Sequence, residues 1–416
     1  MNSIFVNTLF NTFRSLKHRN FRLFFFGQCI SVIGTWIQQI AISWLIYRLT
    51  NSAFIMGFIT FIGAIPAIFV TPFAGVIIDR INKHKALILI QLTFLLEAAA
   101  LAFFTISNSV NVPIILIIGL FNGISAAIDM PLRQALIIQL IDKNEDLSNA
   151  ISLNSSSFNL ARLVGPAIAG VLIASVGEGL CFLINAISYI AVIWALALIH
   201  VDYSPIKFKQ RESFLTELKE GFSYTYNFKS ILYVTLFIAI AGSFGMAFPV
   251  IMPIFAKEIL GGNAQTLGYL MSGLGIGALG GALYLSARCE VRGLSNRIII
   301  ATIALGFALI GLNFTKNLYV AISLLTIVGI GMVMIIAGCN TLIQYFVDED
   351  KRGRIMSIYT MAFFGTVPFG SLIEGSVAEK LGVPFTFLLD GIAMLTLAIW
   401  LFSKSKILKK DYKLSR

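Results

Sequence analysis

The chain has 416 residues, of which 57% are hydrophobic and only 12% are charged, and its net charge is +11. Soluble domains carry about 25% charged residues, so this composition, with a mean hydropathy of +0.87, excludes a water-soluble globule and indicates a polytopic membrane protein. The basic residues are spread over loops between apolar runs, which favours topological anchors over a nucleic-acid surface.

Twelve apolar runs are long enough to cross a bilayer. A helix needs about twenty predominantly apolar residues for this, and it satisfies its own backbone hydrogen bonds in lipid. We therefore predict an all-α protein with twelve transmembrane spans. The spans are residues 21–48, 54–78, 86–106, 112–136, 149–175, 180–200, 230–256, 265–287, 296–314, 318–346, 355–378 and 384–402.

Lysine and arginine are distributed unevenly between the two sides of this arrangement. If the N-terminus, the loops after the even-numbered spans and the C-terminal tail are cytoplasmic, that side holds 26 of the 31 basic residues and the other side holds 4. Because cytoplasmic loops retain basic residues, both termini are predicted to be cytoplasmic.

The longest loop, residues 201–229, divides the chain into two six-helix halves, residues 1–200 and 230–416. An offset of 205 residues aligns glycines of spans 5 and 11, Gly165 with Gly370 among them, which is consistent with a duplicated six-helix unit. Apolar residues on one helical face of the loop predict an amphipathic helix on the membrane surface, with a solvated linker as the alternative. That face consists of Phe214, Leu215, Leu218 and Phe222.

The loop after span 2 carries a short charged motif. Gly75, Asp79, Arg80 and Lys83 follow the order G-x-x-x-D-R-x-x-K. At this position of a twelve-span chain the motif resembles motif A of the major facilitator superfamily of transporters, although Asn82 stands where that motif usually has glycine and lysine replaces its usual arginine. The resemblance implies a gating latch that locks the two halves together on the cytoplasmic side.

Span 5 contains a run of small residues, A-R-L-V-G-P-A-I-A-G, that starts at Ala161 and includes Gly165, Pro166 and Gly170. It resembles a weakened motif C, which in the same superfamily is associated with antiporters that export their substrate. Small residues let a neighbouring helix approach closely, and proline weakens the local backbone ladder. Ordinary helix packing is the alternative interpretation.

Three longer strings narrow the resemblance: W-L-I-Y-R-L-T-N-S, A-A-I-D-M-P-L-R-Q-A-L and L-S-N-A-I-S-L-N-S. They are similar to the branch that contains the enterobactin exporter and macrolide efflux proteins. The resemblance implies a bacterial inner-membrane exporter, driven by the proton gradient without another cofactor, that works as a monomer in membrane lipid.

Charges inside a bilayer are costly, so those within spans are candidates for mechanism. At a rise of about 1.5 Å per residue, Glu97 and Arg162 lie roughly 16 and 20 Å from the inner ends of their spans, a similar depth at which they could meet, whereas Asp129 lies only about 10 Å deep. Proton coupling requires a carboxylate whose pKa differs between conformations, which makes Glu97 and Asp129 the candidates. A structural role is the alternative for Glu97, because the resemblance implies that span 3 stands outside the cavity. Arg162 is a candidate neutralising charge or partner of an anionic substrate. Glu374 and Asp390 are expected to be solvated near the outer ends of their spans.

The resemblance places a substrate cavity between the two halves near the midplane. Polar and aromatic residues on the spans that line it are candidate contacts, and helix packing is the alternative for each of them. They are Gln28, Trp36, Gln38, Gln39, Asn122, Asn154, Phe158, Asn159, Asn340, Gln344, Tyr359 and Phe363.

No catalytic constellation or metal-ligand cluster stands out, because the histidines His18, His84 and His200 lie at membrane edges. The sequence therefore predicts a transporter that has no metal and is not an enzyme. We expect an exporter of a small amphipathic molecule, a siderophore or a drug, that works by alternating access and proton antiport. An importer of a similar molecule, a lysophospholipid transporter and a non-transporting receptor are the alternatives.

Overall fold

The computed structural model describes residues 13–78, 81–141, 144–200, 214–288, 293–349 and 351–414. Over these ranges the chain is almost entirely helical and has no β-strand. The helices are α1 (Arg19–Thr50), α2 (Ala53–Ile78), α3 (Lys83–Ile106), α4 (Val112–Gln139), α5 (Asn144–Ala197), α6 (Phe214–Asn227), α7 (Lys229–Gly245), α8 (Ala264–Ser286), α9 (Leu294–Phe314), α10 (Leu318–Phe346), α11 (Arg352–Leu381) and α12 (Val383–Leu414).

Eleven helices in the described ranges are long and apolar enough to cross a membrane. Among them α5 counts once, although Gly177 interrupts it with a φ of +80°, a conformation that suits glycine because it has no Cβ. Large apolar side chains such as Phe69, Trp194 and Ile399 are exposed, as lipid contact requires. The predicted all-α polytopic fold is confirmed, whereas the total of twelve spans and the side on which the termini lie stay predictions.

The span that starts with α7 is not a regular helix throughout. It continues to Ile259 through a 3-10 turn at Phe248–Ile251, a single α-turn and a π-turn at Phe255–Ile259. Pro249 and Pro253 explain the interruption, because proline has no N–H to donate and its ring clashes with the preceding turn. The backbone carbonyls at the end of α7 consequently have no helical partners.

The chain divides into two compact units. The first contains Met1–Leu45 and Phe69–Lys207, and the second contains Ile46–Ile68 and Phe208–Arg416. The C-terminal end of α1 and the first part of α2 thus group with the helices of the second half of the chain. The predicted boundaries of the halves stay predictions.

A helix is present in the loop between the predicted halves. Glu220 of α6 forms an ion pair with Arg354 of α11, and Tyr224 donates a hydrogen bond of 3.1 Å to Asp348. Phe222 is exposed, whereas the side chains of residues 214–218 lie outside those described. Polar bonds therefore attach α6 to the second unit, and its contact with a membrane surface stays a prediction.

Candidate functional site

Glu97 belongs to a polar cluster between α3 and α4 in the first unit. Its carboxylate accepts hydrogen bonds from Asn122 Nδ2 at 2.8 Å and from Ser125 Oγ at 3.1 Å. Thr93 Oγ1 lies 3.2 Å from the same Ser125 hydroxyl. All of these partners are neutral, so no cation in the described part of the chain compensates the charge of Glu97.

Asp129 lies further along α4 in a different environment. It forms an ion pair with Arg133, one helical turn away, and accepts a 2.8 Å hydrogen bond from Gln91 Nε2 on α3. Asp129 and Arg133 are only 7% and 9% exposed. The Arg133 guanidinium carbon also lies 5.3 Å from the ring centroid of Phe158 on α5. Asp129 is therefore already neutralised by a buried partner.

Arg162 faces α1 rather than an acid. Its guanidinium carbon lies 5.8 Å from the ring centroid of Trp36, and no salt bridge to it is found among the described residues. Arg162 and Glu97, which could meet on grounds of depth, therefore do not form an ion pair in this structure. Depth along a span gives the height of a residue in the bilayer, but the direction in which the side chain points depends on helix rotation, which depth does not fix.

The small-residue run that resembles motif C packs tightly. Ala161, Gly165, Pro166 and Gly170 are all buried, and a Cβ on Gly165 would lie 2.5 Å from the Cβ of Trp36. The absence of a side chain at Gly165 thus allows α5 to approach α1. Close helix packing accounts for these residues, and their link to antiport stays a prediction.

The predicted cavity residues of the first unit differ in exposure. Gln28 is buried, and no described residue bonds its Oε1 atom, whereas Gln39 is exposed. Gln38 Oε1 accepts a 2.8 Å hydrogen bond from Asn185 Nδ2, so it is part of helix packing. Asn159 Nδ2 bonds the carbonyl of Ser155 one turn back. Half-exposed candidates of this unit are Trp36, Asn122 and Asn154, and Phe158 is exposed.

Tyr359 in the second unit is buried, and its hydroxyl donates a 2.7 Å hydrogen bond to the Ile336 carbonyl of α10. This bond and its burial favour helix packing, the alternative given for Tyr359, and its contact with a substrate stays a prediction. Phe363 is half-buried and lies edge-to-face with Phe364. Gln344 bonds Asn340 one turn back on α10.

The motif that resembles motif A is only partly described. Gly75 lies in the last turn of α2, whereas Asp79 and Arg80 lie outside the described residues, so the latch stays a prediction. Lys83 is buried at the start of α3. Asn82, the departure from the motif, caps α3 by accepting a 3.0 Å hydrogen bond from Lys85 N; asparagine and glycine are both favoured at this position.

The structure adds one partner that the sequence analysis does not name, Arg133, and differs from it in the exposure of two acids, Glu374 and Asp390. It names no partner for Asp129, although the i, i+4 spacing of Asp129 and Arg133 is a recognised signal for an ion pair on a helix. It expects Glu374 and Asp390 to be solvated, but both are buried. Their burial comes from the helices that face them, which distance from a helix end does not reveal.

A family model described as "transmembrane secretion effector" matches residues 10–414, nearly the whole chain. The chain belongs to the transmembrane secretion effector family of the major facilitator superfamily. The resemblance to this superfamily is thereby confirmed. This transporter is 27% identical to the staphyloferrin A transporter of Staphylococcus aureus, over 93% of its own chain and 97% of that protein.

This transporter is also 22% identical to macrolide efflux protein A of Streptococcus pyogenes, over 95% of its chain and 100% of that protein. Among solved structures, the nucleoside transporter NupG matches with a TM-score of 0.71 and 15% identity, over 94% of this chain and 99% of NupG. The structural match shows the shared fold. As a member of the family, this chain is a multi-pass membrane transporter of small molecules and not an enzyme.

Proposed function

We propose that this transporter is a proton-coupled exporter of a small amphipathic molecule that works by alternating access in the bacterial inner membrane. Support for export comes from the family description and from an efflux protein and a siderophore transporter among its relatives. The proton gradient is its energy source, no cofactor is needed, and a monomer in lipid is the working unit.

The observation that carries proton coupling is the set of neutral partners around Glu97. An amide and a hydroxyl bond this carboxylate, and a second hydroxyl bonds the first, so binding a proton is the way to neutralise Glu97 there. Asp129 has Arg133 for the same purpose. We therefore assign the transported proton to Glu97 and a structural role to the pair of Asp129 and Arg133.

The substrate class follows from Arg162. A cation within a span is costly unless something neutralises it, and its observed neighbour, Trp36, supplies an aromatic face rather than a negative charge. A substrate with a carboxylate would provide the missing charge. The uncompensated positive charge of Arg162 therefore favours an anionic siderophore over a cationic drug as the exported molecule.

The proposed cycle couples these two groups. Substrate binds from the cytoplasm with its anionic group near Arg162 and leaves on the outer side. A proton then binds Glu97 from outside and is released to the cytoplasm before the next substrate enters. Glu97 thus alternates between a proton-bound and a proton-free state once per cycle, while the substrate moves in the opposite direction.

Transport in everted membrane vesicles with an acidified lumen tests this proposal. Staphyloferrin A and a macrolide, the compounds named for the two relatives, serve as probes. Lumenal accumulation of a probe, together with proton efflux, supports export by antiport. Flux of the probe with protons in the same direction supports import instead. Binding without flux at any pH gradient would overturn transport coupled to protons and favour a receptor.

A further inference from the structure

Two carboxyl groups lie deep in the second unit, Glu374 on α11 and Asp390 on α12. They are only 1% and 2% exposed, and the two helices that carry them pack against each other. Within the described ranges, neither oxygen of Glu374 has a hydrogen-bond partner, and Oδ2 of Asp390 has none. A buried polar group without a partner is unusual and calls for an explanation.

Packing contacts place both carboxyls at the outer end of α7. Gly370, one turn before Glu374, lies against the backbone of Ser243 near that end. On α12, Phe387 contacts the Phe248 ring just beyond α7, and Met394 lies against Gly245. Asp390 lies three residues after Phe387 and four before Met394, hence on the same face of α12.

The end of a helix is an unfavourable place for a carboxylate. Its last backbone carbonyls lack helical partners and carry the negative end of the helix dipole. These carbonyls repel a negative charge but accept a hydrogen bond from a protonated carboxyl. The interruption of α7 therefore makes this place unfavourable for the charged form of both acids, although neither oxygen of Glu374 bonds these carbonyls in this structure.

No positive charge compensates the pair in the described part of the second unit. None of the salt bridges among the described residues includes Glu374 or Asp390. The other titratable groups on those elements are at least partly exposed or bonded elsewhere, as Glu258 is to Tyr47 and Glu379 to Ser52. They are Lys229 and Tyr233 on α7, Lys257 and Glu258 after it, Arg297 on α9, Arg352, Arg354, Tyr359, Glu379 and Lys380 on α11, and Lys404 on α12.

We propose that Glu374 and Asp390 form a second proton-binding site, in which bound protons neutralise the buried pair in this conformation. Two negative charges without a partner would be very costly at such a depth. The site differs from the Glu97 cluster in its unit and its helices. Both oxygens of Glu97 accept hydrogen bonds, whereas both oxygens of Glu374 and one of Asp390 have no hydrogen-bond partner among the described residues.

A contact between two helices covers this site. Ser371 and Gly375 of α11, which flank Glu374 in sequence, lie against Gly57 of α2, and a Cβ on Gly375 would lie 2.5 Å from the Ala53 carbonyl oxygen. Small residues spaced four apart on both helices allow this close approach. Separation of α2 from α11 would admit water to Glu374 and release its proton. This use of the site in transport rests on the proposed function.

Infrared difference spectroscopy of the purified protein at neutral pH tests proton binding without any transport. Wild type is compared with Glu374→Gln, Asp390→Asn and the double variant, and Glu379→Gln serves as the control because it removes an exposed carboxylate from the same helix. We expect a protonated-carboxyl stretching band that weakens in each single variant and loses the most intensity in the double variant, with no change in the control. Equal bands in wild type and the double variant would overturn the proposal.

A second measurement needs no substitution, so it does not depend on whether a variant folds. Wild type is treated with dicyclohexylcarbodiimide, which reacts with protonated carboxyls in apolar surroundings, and the modified peptides are identified by mass spectrometry. Modification of Glu374 or Asp390 that is lost at high pH supports the site, and absence of modification from both contradicts it. If the infrared result holds while vesicles show no proton-coupled flux, the proposed function fails and the proton site stands.

Discussion

The guanidinium of Arg162 lies over the indole ring of Trp36, with 5.8 Å between the guanidinium carbon and the ring centroid. A cation above an aromatic ring gains about 0.5–2 kcal/mol, the upper value when both groups are desolvated. The stack therefore fixes the position of a charge that has no acidic partner in the described chain.

If the proposed anionic substrate binds through Arg162, Arg162→Ala should weaken the binding of the probe staphyloferrin A by about ten- to a hundredfold, because a hydrogen bond to a charged group contributes about 1.5–3 kcal/mol. Binding is measured by calorimetry on the protein in detergent. Lys316→Ala, which removes an exposed cation, should leave the affinity unchanged. Equal affinities of wild type and Arg162→Ala would exclude Arg162 as the anion partner.

Glu97→Gln should separate transport from the proton gradient. The amide keeps the size of the side chain and its contacts with Asn122 and Ser125, but it cannot bind a transported proton. Accumulation of probe in acidified everted vesicles should fall at least tenfold, while exchange of labelled for unlabelled probe without a gradient continues. Full accumulation in this variant would show that a carboxylate other than Glu97 binds the transported proton.

Arg133→Met should destabilise the first unit by about 3–5 kcal/mol, because it leaves Asp129 as an uncompensated buried charge. The double variant Asp129→Asn, Arg133→Met should recover much of that loss, since a neutral pair needs no compensation. Unfolding in denaturant, followed by circular dichroism, measures both effects. Lys351→Met, which removes a surface ion pair with Asp348 at 3.6 Å, should change stability by less than about 1 kcal/mol. If the double variant is no more stable than Arg133→Met, the two charges do not act as a pair.

Gly375→Ala should separate α2 from α11. Its new Cβ would lie 2.5 Å from the Ala53 carbonyl oxygen and 3.1 Å from Gly57 Cα, both of them backbone atoms that cannot move independently. Such overpacking costs about 1–3 kcal/mol, which a lower midpoint of thermal unfolding would reveal. On the same helix, a Cβ at Gly365 would have no neighbour within 4 Å. Gly365→Ala should therefore be neutral or slightly stabilising, and an equal loss in both variants would contradict the close contact.

Hydrophobicity and motifs predict the architecture and the family well. The apolar runs correspond to the long helices, and the charged loop after α2 points to the superfamily that the family match confirms. These features are local in sequence, because the bilayer requires about twenty apolar residues per span whatever the neighbouring helices are.

Side-chain partners are less predictable, because they depend on how each helix is rotated. Depth alone pairs Glu97 with Arg162, yet Glu97 bonds Asn122 and Arg162 stacks on Trp36. The burial of Glu374 and Tyr359 is equally hard to predict from the sequence, since it comes from the helices that face them. The Asp129–Arg133 pair, in contrast, carries a local signal in its spacing of four residues.

Gly177 joins the two parts of α5 without a loop between them. Both segments pack closely against α1, since a Cβ on Gly165 would lie 2.5 Å from Trp36 Cβ and a Cβ on Gly34 would lie 2.5 Å from Asn185 Oδ1. They are therefore expected to keep a nearly constant angle while the protein moves. Spin labels attached to these two segments would then report one narrow distance distribution throughout the transport cycle. This distance would serve as an internal reference against which larger movements of other helices are measured.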